Sequence, residues 1–372
     1  MADKVKMINE FVIVLIENEQ VLESFVEVTK SIRSIVFDME GVNLSRVGEA
    51  TLVTIGIDTN EVKTVYIFDL LYSALKDQFI SIIKDIAEST IIEKIIHDCR
   101  QDSDALKYQF DISLDNVFDT SVYDAQLREG DRSNLNEVLI RYGCNPNLTR
   151  SSLRYTNDEN YWRTRPLTKE MIDSAAKDVT GLFQLKDNLL LEMDKKGLSP
   201  EDKGIISMRS SQAPSEYTRL QEFELVSVPK SKLGLVIGTN GSNLMLIEIE
   251  SDAKLTSYII SDEKYLVLGE TQQIISKAKE AISDLISPLL SPCIRLLNGP
   301  LINGKDRQKL WNDLSKILTH DKWYTKEELN EVRTAASTSK NLTAKQRITV
   351  YTLKPHNDDD NDYEWYDDDD DY

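Results

Sequence analysis

Short apolar runs alternate with longer amphipathic stretches through the first half of the chain. FVIVLI (11–16) and SIVFD (34–38) are β-rich runs of strand length, and NEQVLESFVEVTKSI between them has helical spacing. TLVTIGI (51–57) and VKTVYIFDL (62–70) are joined by the turn-forming DTNE, which predicts antiparallel neighbours beside the SIVFD strand. A helical run (74–88) leads to the apolar IIEKIIHD. From about 102 to 193 the pattern is mainly helical, broken by DNVFDT and by the loop-like CNPNLTRSS. These periods predict an α/β domain over 1–193, with a mixed sheet covered by helices.

KKGLSPEDKGIISMRSSQAPSEYTR (195–219), rich in Ser, Pro, Gly and charge, reads as a linker, placed at 194–221. A smaller α/β unit is expected over 222–286: FELVSVP, a Gly-rich turn, a helix, AKLTSYII, KYLVLGE and the amphipathic TQQIISKAKEAISDLI. Beyond the proline-punctuated 287–300, Leu310, Trp311, Leu314, Ile317 and Leu318 share a helical face. Thr325 with Glu328 makes a capping box, and RITVYTL has strand character. The region 287–355 is therefore expected to be mainly helical.

Charge changes the picture only at the end. Of the net −19, residues 358–372 contribute nine Asp and one Glu with no base, leaving −9 for the rest of the chain. Such a run cannot bury a core, so 356–372 is expected to be a disordered acidic tail. The stretch before it, 301–355, is net basic, with eleven Lys/Arg against six Asp/Glu. No apolar run approaches the roughly 20 residues of a membrane span. Three cysteines without a CxxC pair support neither a disulfide framework nor a cysteine zinc site, and the expected compartment is the reducing cytoplasm.

The candidate chemistry lies in carboxylates. Asp38 and Glu40, two apart at the end of an apolar strand, project from one face and repel unless a cation lies between them. Asp102 opens a helix just after another apolar strand, and Asp178 sits in MIDSAAKDVTGL four residues after Ser174, on the same helical face. Hard oxygen ligands in this number suit Mg²⁺ or Mn²⁺, as in two-metal phosphodiester chemistry. FDMEG, HDCRQDSDAL and SAAKDVTGL, in that order and with WRTRPLT (162–168) between the second and third, resemble the DEDD superfamily of 3′-5′ exonucleases in its ribonuclease D-like branch. The resemblance covers about 11–193. It implies a ribonuclease H-like fold, with Asp38, Glu40, Asp102 and Asp178 as ligands of two Mg²⁺ or Mn²⁺ ions.

One position departs from that pattern. The branch carries a water-positioning tyrosine four residues before the final Asp, and a second branch a histidine five before. Here Ser174 and Asp173 stand in those places. A serine hydroxyl is too short for the task and too weakly acidic to serve as a base, and losing such a group costs about 10² to 10⁴ in rate.

A second module follows. VPKSKLGLVIGTNGSNLMLIEIESDAKL places Gly238, Thr239, Asn240 and Gly241 between two helical runs, where paired glycines bring backbone N–H groups close to phosphates. With the preceding VIG and the strand-strand-helix ending at 286, it resembles a type I KH domain, which implies a clamp for about four single-stranded nucleotides. Lys230 and Lys232 are the candidate phosphate contacts. Nine acids against six lysines over 224–286 predict modest, salt-sensitive affinity.

HDCRQDSDAL is also similar to the egalitarian and piRNA-pathway exonuclease-domain subgroup, which implies an RNA adaptor with little or no catalysis. The alternatives are a working 3′-5′ exonuclease on single-stranded RNA or DNA, with Tyr155 or Tyr161 standing in for the lost tyrosine, and a scaffold that touches proteins only. The expected partners are single-stranded RNA and RNA-silencing proteins, in ribonucleoprotein granules and without a membrane. The oligomeric state is left open, a homodimer included.

Overall fold

The computed structural model describes residues 6–8, 10–59, 61–71, 73–151, 160–229, 232–258, 264–286, 290–319 and 326–352. Tyr155, Lys230, Thr325 and the acidic tail lie outside the described residues. Two compact units form, one from Met1–Ser227 with Lys254–Gln272 and one from Val228–Ala253 with Gln273–Tyr372. No helix among the described residues is long and apolar enough to cross a membrane.

The first unit is built on a seven-stranded mixed sheet. Its strands are β1 (Lys6–Ile8), β2 (Phe11–Leu15), β3 (Ser34–Val42), β4 (Glu49–Asp58), β5 (Lys63–Asp69), β6 (Glu93–Ile96) and β7 (Val117–Asp119), in the order β1-β2-β5-β4-β3-β6-β7. β3, β4 and β5 form the antiparallel meander that DTNE predicts, while β3, β6 and β7 run parallel and are joined through helices. The central strands carry apolar residues on both faces, as a sheet covered twice requires. One core gathers α1 (Glu19–Thr29), α2 (Lys76–Ala87) and α3 (Arg100–Phe110) around Phe25, Phe37, Phe68 and Phe79. The other gathers α4 (Thr120–Arg128), α5 (Leu135–Arg141), α6 (Lys169–Thr180) and α7 (Leu182–Lys195) around Val36, Ile67, Ala175 and Leu185.

The stretch expected to be a linker is largely helical. Ser199-Pro200-Glu201-Asp202 starts α8 (Pro200–Gln212) with a reciprocal capping box: Ser199 Oγ accepts from the Asp202 amide at 3.1 Å, and the Asp202 carboxylate accepts from the Ser199 amide at 3.2 Å. The proline and acids that look like linker punctuation are thus a helix start. A short α9 (Ser215–Thr218) follows, and Ile206, Ala213, Tyr217 and Leu220 are buried. This unit also holds a three-stranded antiparallel sheet of β8 (Glu222–Ser227), β9 (Lys254–Tyr258) and β10 (Lys264–Gly269), in the order β8-β10-β9.

The second unit contains α10 (Leu233–Ile237) and α11 (Ser242–Ser251), then α12, whose span is Gln272–Ile286, α13 (Leu290–Asn298), α14 (Gly304–Thr319), α15 (Lys326–Thr338) and α16 (Ala344–Thr352). Leu310, Leu314, Ile317 and Leu318 form the predicted buried stripe of α14. RITVYT, the part of RITVYTL within the described residues, is helical rather than a strand. Thr343 and Gln346 cap the start of α16 reciprocally, at 3.2 Å and 2.9 Å, and Val350 is drawn into the helical core.

Candidate functional site

β3 delivers two of the predicted carboxylates. Asp38 and Glu40, two residues apart, share a face, and the strand is bulged immediately after Glu40, where Glu40 pairs with Leu52 and Gly41 with Ala50. Gly41 makes the close approach possible, because a β-carbon there would lie 2.3 Å from the Glu49 carbonyl oxygen. The third carboxylate comes from α6. Thr168 caps this helix by accepting from the Met171 amide at 3.2 Å, and Ala175 and Ala176 let it lie close on β3 and β4. A β-carbon on Gly56 of β4 would meet Val36 at 2.4 Å and Val179 of α6 at 3.8 Å, so the glycine keeps sheet and helix in contact.

Asp38, Glu40 and Asp178 converge. Each offers a carboxylate oxygen, and the three oxygens lie within 4.8 Å of one another. At that spacing each pair of negative charges repels by at least about 3.5 kcal/mol at an effective dielectric of about 20, a cost that a divalent cation among them reverses. Three hard oxygen donors from two rigid elements fit Mg²⁺ or Mn²⁺. Ser174 lies one turn before Asp178 on the same helix and is buried.

A residue that the sequence reading passed over orients Asp178. Asn147, in CNPNLTRSS, is 1% exposed. Its side-chain amide donates to Asp178 Oδ1 at 2.8 Å and to the Ser174 carbonyl at 3.1 Å. Asn147 is itself fixed by Asn136, whose side chain accepts from the Asn147 amide at 2.8 Å and donates to its carbonyl at 2.9 Å. Nothing in one sequence separates this asparagine from an ordinary turn residue. WRTRPLT now has a physical task as well. Arg165 donates to both oxygens of Asp69 at the end of β5, at 2.6 and 2.9 Å, and Arg163 donates to Glu49 at the start of β4 at 2.8 Å. The segment is thereby pinned across the sheet, next to Trp162, which is buried in the core.

Asp102 is not among the three carboxylates whose oxygens all lie within 4.8 Å of one another. It is buried in the first turn of α3. Asp119 sets that helix start by accepting from the Asp98 and Cys99 amides, both at 3.0 Å, and from Ser121. His97 is held at both ring nitrogens, by the Thr120 hydroxyl at 2.9 Å and the Ser133 carbonyl at 3.0 Å. Asp98 adopts a left-handed conformation, with φ of 60°. Burial would push its carboxyl up, but hydrogen bonding and charge from Arg100, with Arg132 and His97, take it down to about 2. Arg46, in the turn after β3, ties α3 down from the other side. Its amide and guanidinium meet the Asp104 carboxylate at 2.7 Å, with both side chains buried, and it donates to the carbonyls of Tyr217 (2.9 Å) and Leu220 (2.5 Å).

The glycine turn of the second unit has the predicted shape. Gly238 and Gly241 have φ of 70° and 78°, and a β-carbon on Gly238 would lie within 2.8 Å of Ser242 and Asn243. Thr239–Gly241 form one 3₁₀ turn between α10 and α11, and Asn243 secures it by donating to the Leu235 carbonyl at 2.7 Å. Thr239 is exposed and Lys232 half-buried, while Lys230 lies outside the described residues.

Residues 13–194 match the 3′-5′ exonuclease family and residues 223–284 the KH domain family. The piRNA biogenesis protein EXD1 of Mus musculus is 31% identical over 211 residues, which cover 50% of this chain and 36% of the relative. The protein of the same name from Bombyx mori is 29% identical over 158 residues, covering 41% of this chain and 49% of the relative. The match therefore spans half or less of the length of these curated relatives. Among solved structures, Trypanosoma brucei RNase D aligns over 72% of this chain and 81% of its own, with 18% identity and a TM-score of 0.47. The same enzyme in complex with RNA U12 aligns over 55% and 70%, with 22% identity and a TM-score of 0.46.

Proposed function

We infer that this chain, in which a 3′-5′ exonuclease domain precedes a KH domain, is an RNA-binding adaptor in RNA metabolism or silencing with weak or absent nuclease activity. The observation that carries the reading is Ser174. The residue occupies the place of the water-positioning tyrosine, on the helix turn before Asp178, and a buried serine cannot extend a hydroxyl as far as a phenol. Single-stranded RNA is the ligand of this reading, held by the Gly238-Thr239-Asn240-Gly241 turn with Lys230 and Lys232 beside it. RNA-silencing proteins are the partners, by analogy with the piRNA biogenesis name of the relatives. A cytoplasmic site of action, in ribonucleoprotein granules, goes with it.

Asp38, Glu40 and Asp178 would hold Mg²⁺ or Mn²⁺, with Asp102 as the fourth ligand of the family pattern. When bound, such an ion supplies positive charge to a phosphodiester and acidifies a coordinated water. The chain's own contribution is orientation: β3 aims two carboxylates, and Asn147 donates a hydrogen bond to Asp178 Oδ1. The retained carboxylates favour a second reading, an active metal-dependent 3′-5′ exonuclease.

Incubation of the full chain with 5′-labelled single-stranded RNA and Mn²⁺, beside an Asp38→Ala control, separates the two. The adaptor binds the RNA and leaves it intact. A ladder of shortened products that disappears in the control would establish the enzyme instead, and absence of RNA binding at low salt would remove both.

A further inference from the structure

The segment that looked like a linker builds one wall of a cavity. Ala213 and Pro214, between α8 and α9, both have right-handed helical backbone angles, so the chain continues helically from Pro200 to Thr218. Arg209, Gln212, Glu216 and Arg219, spaced three, four and three apart, therefore share one face. Opposite them stand Gln126 of α4 and Arg132, and the space between measures about 370 Å³.

Three guanidiniums thus line one cavity against a single carboxylate, in a chain whose net charge is −19. Their partners hold them unequally. Arg132, 17% exposed, donates to Asp98 at 3.1 Å and to Glu216, and so forms a fixed floor that also uses up the one acid. Arg219 is paired with Glu270, but both side chains are more than half exposed, a pairing of the weakest kind. The guanidinium of Arg209 meets no carboxylate among the described residues and donates to the neutral Gln126 side chain. The charges of Arg209 and Arg219 are thus available to a ligand, with amide donors from Gln126 and Gln212 beside them.

We propose that this cavity is a phosphate-binding site. Guanidiniums present planar forks of N–H donors that match phosphate oxygens two at a time. The volume is in the range of small-molecule sites, about 300–1,000 Å³, and admits one or two phosphate groups. The phosphate could belong to a free phosphorylated compound or to the backbone of a nucleic acid, and the site uses none of the three converging carboxylates and none of the GTNG turn.

The test titrates the full chain with pyrophosphate in EDTA, so that no cation occupies the carboxylate group, and with a fluorescent uridylate dodecamer. Arg209→Gln with Arg219→Gln is compared with Lys196→Gln, a charge removed from an exposed side chain that makes no ion pair among the described residues, and melting curves establish that each variant folds. The double variant is expected to bind pyrophosphate about tenfold more weakly, at two weakly compensated charges of about 0.7 kcal/mol each, while Lys196→Gln binds it like the parent. If the double variant does not fold, Arg209→Gln alone carries the test with about half that loss on a logarithmic scale. A parallel loss for the dodecamer assigns the site to a nucleic-acid backbone, and an unchanged dodecamer affinity assigns it to a free phosphate compound. No pyrophosphate binding by the parent, or equal binding by parent and arginine variants, overturns the site. The RNA-adaptor reading fails separately, if the parent does not bind the dodecamer.

Discussion

Asn147→Ala is the sharpest probe of how the carboxylate group is held. The substitution removes the amide that donates to Asp178 at 2.8 Å and to the Ser174 carbonyl at 3.1 Å. It also removes the side-chain oxygen that accepts from the Thr149 amide at 3.1 Å and from the Thr149 hydroxyl, and leaves untouched the two bonds between the Asn147 backbone and Asn136. A hydrogen bond to a charged group contributes about 1.5–3 kcal/mol and each of the three neutral ones about 1 kcal/mol, so urea unfolding in EDTA should report a loss of about 5 kcal/mol. Residues that orient a metal-binding carboxylate typically contribute about 10- to 100-fold to cation affinity, or about 1.4–2.8 kcal/mol, a range that agrees with the charged bond alone. Calorimetric titration with Mn²⁺ should therefore show a dissociation constant raised by that factor. Asn147→Asp should be less stable still in EDTA, because it sets a fourth carboxylate against Asp178, and Mn²⁺ should restore part of the loss. If Asn147→Ala destabilises the chain but binds Mn²⁺ within about twofold of the parent, the asparagine is a structural tie and the orientation argument is wrong.

Three further outcomes follow from charges that are buried or half-buried. Asp104→Asn strips the counter-charge from a buried Arg46 and should cost about 3–5 kcal/mol in urea unfolding, with a smaller loss if Arg46 is replaced by methionine in the same chain. Asp98 is held at about 2, below the ordinary carboxylate value, so its contribution is complete above about pH 4 and is lost as pH falls through about 2. The stability difference between the parent and Asp98→Asn should be constant from neutral pH down to about pH 5 and shrink below it; a difference that does not change down to about pH 2 would refute the assignment. Lys94 is buried in β6, and burial takes its ammonium down to about 8 against the opposing pull of Asp115 and Glu93. A lowered base penalises folding while it is protonated, so the parent should gain stability relative to Lys94→Met as pH rises from about 8 to 10.5, and a flat difference across that window would contradict the reading.

Particular residues show why some of this was legible in the sequence. β3, β4 and β5 announce themselves because β-branched runs and a turn motif are local signals, and α14 because its apolar stripe has helical period. The errors were local as well. SPED resembles linker punctuation and RITVYTL a strand, although Ser199 with Asp202 and Thr343 with Gln346 are capping pairs that favour a helix. The carboxylates are legible by type and order, and the fold then brings oxygens of Asp38, Glu40 and Asp178 within 4.8 Å of one another.

The sequence by itself determined most of the elements, the succession of exonuclease and KH motifs and the identity of the acidic side chains, because each depends on period, composition or motif within a few residues. Three-dimensional packing decided which side chains face one another: Asn147 on Asp178, Arg46 on Asp104, and Arg132, Arg209 and Arg219 around one cavity. The sequence separations run from 31 residues for the first pair to 58 for the second. No periodic pattern spans such distances. They are set by how closely glycine and alanine let α6 approach the sheet, and by where the capped helices of the supposed linker come to rest.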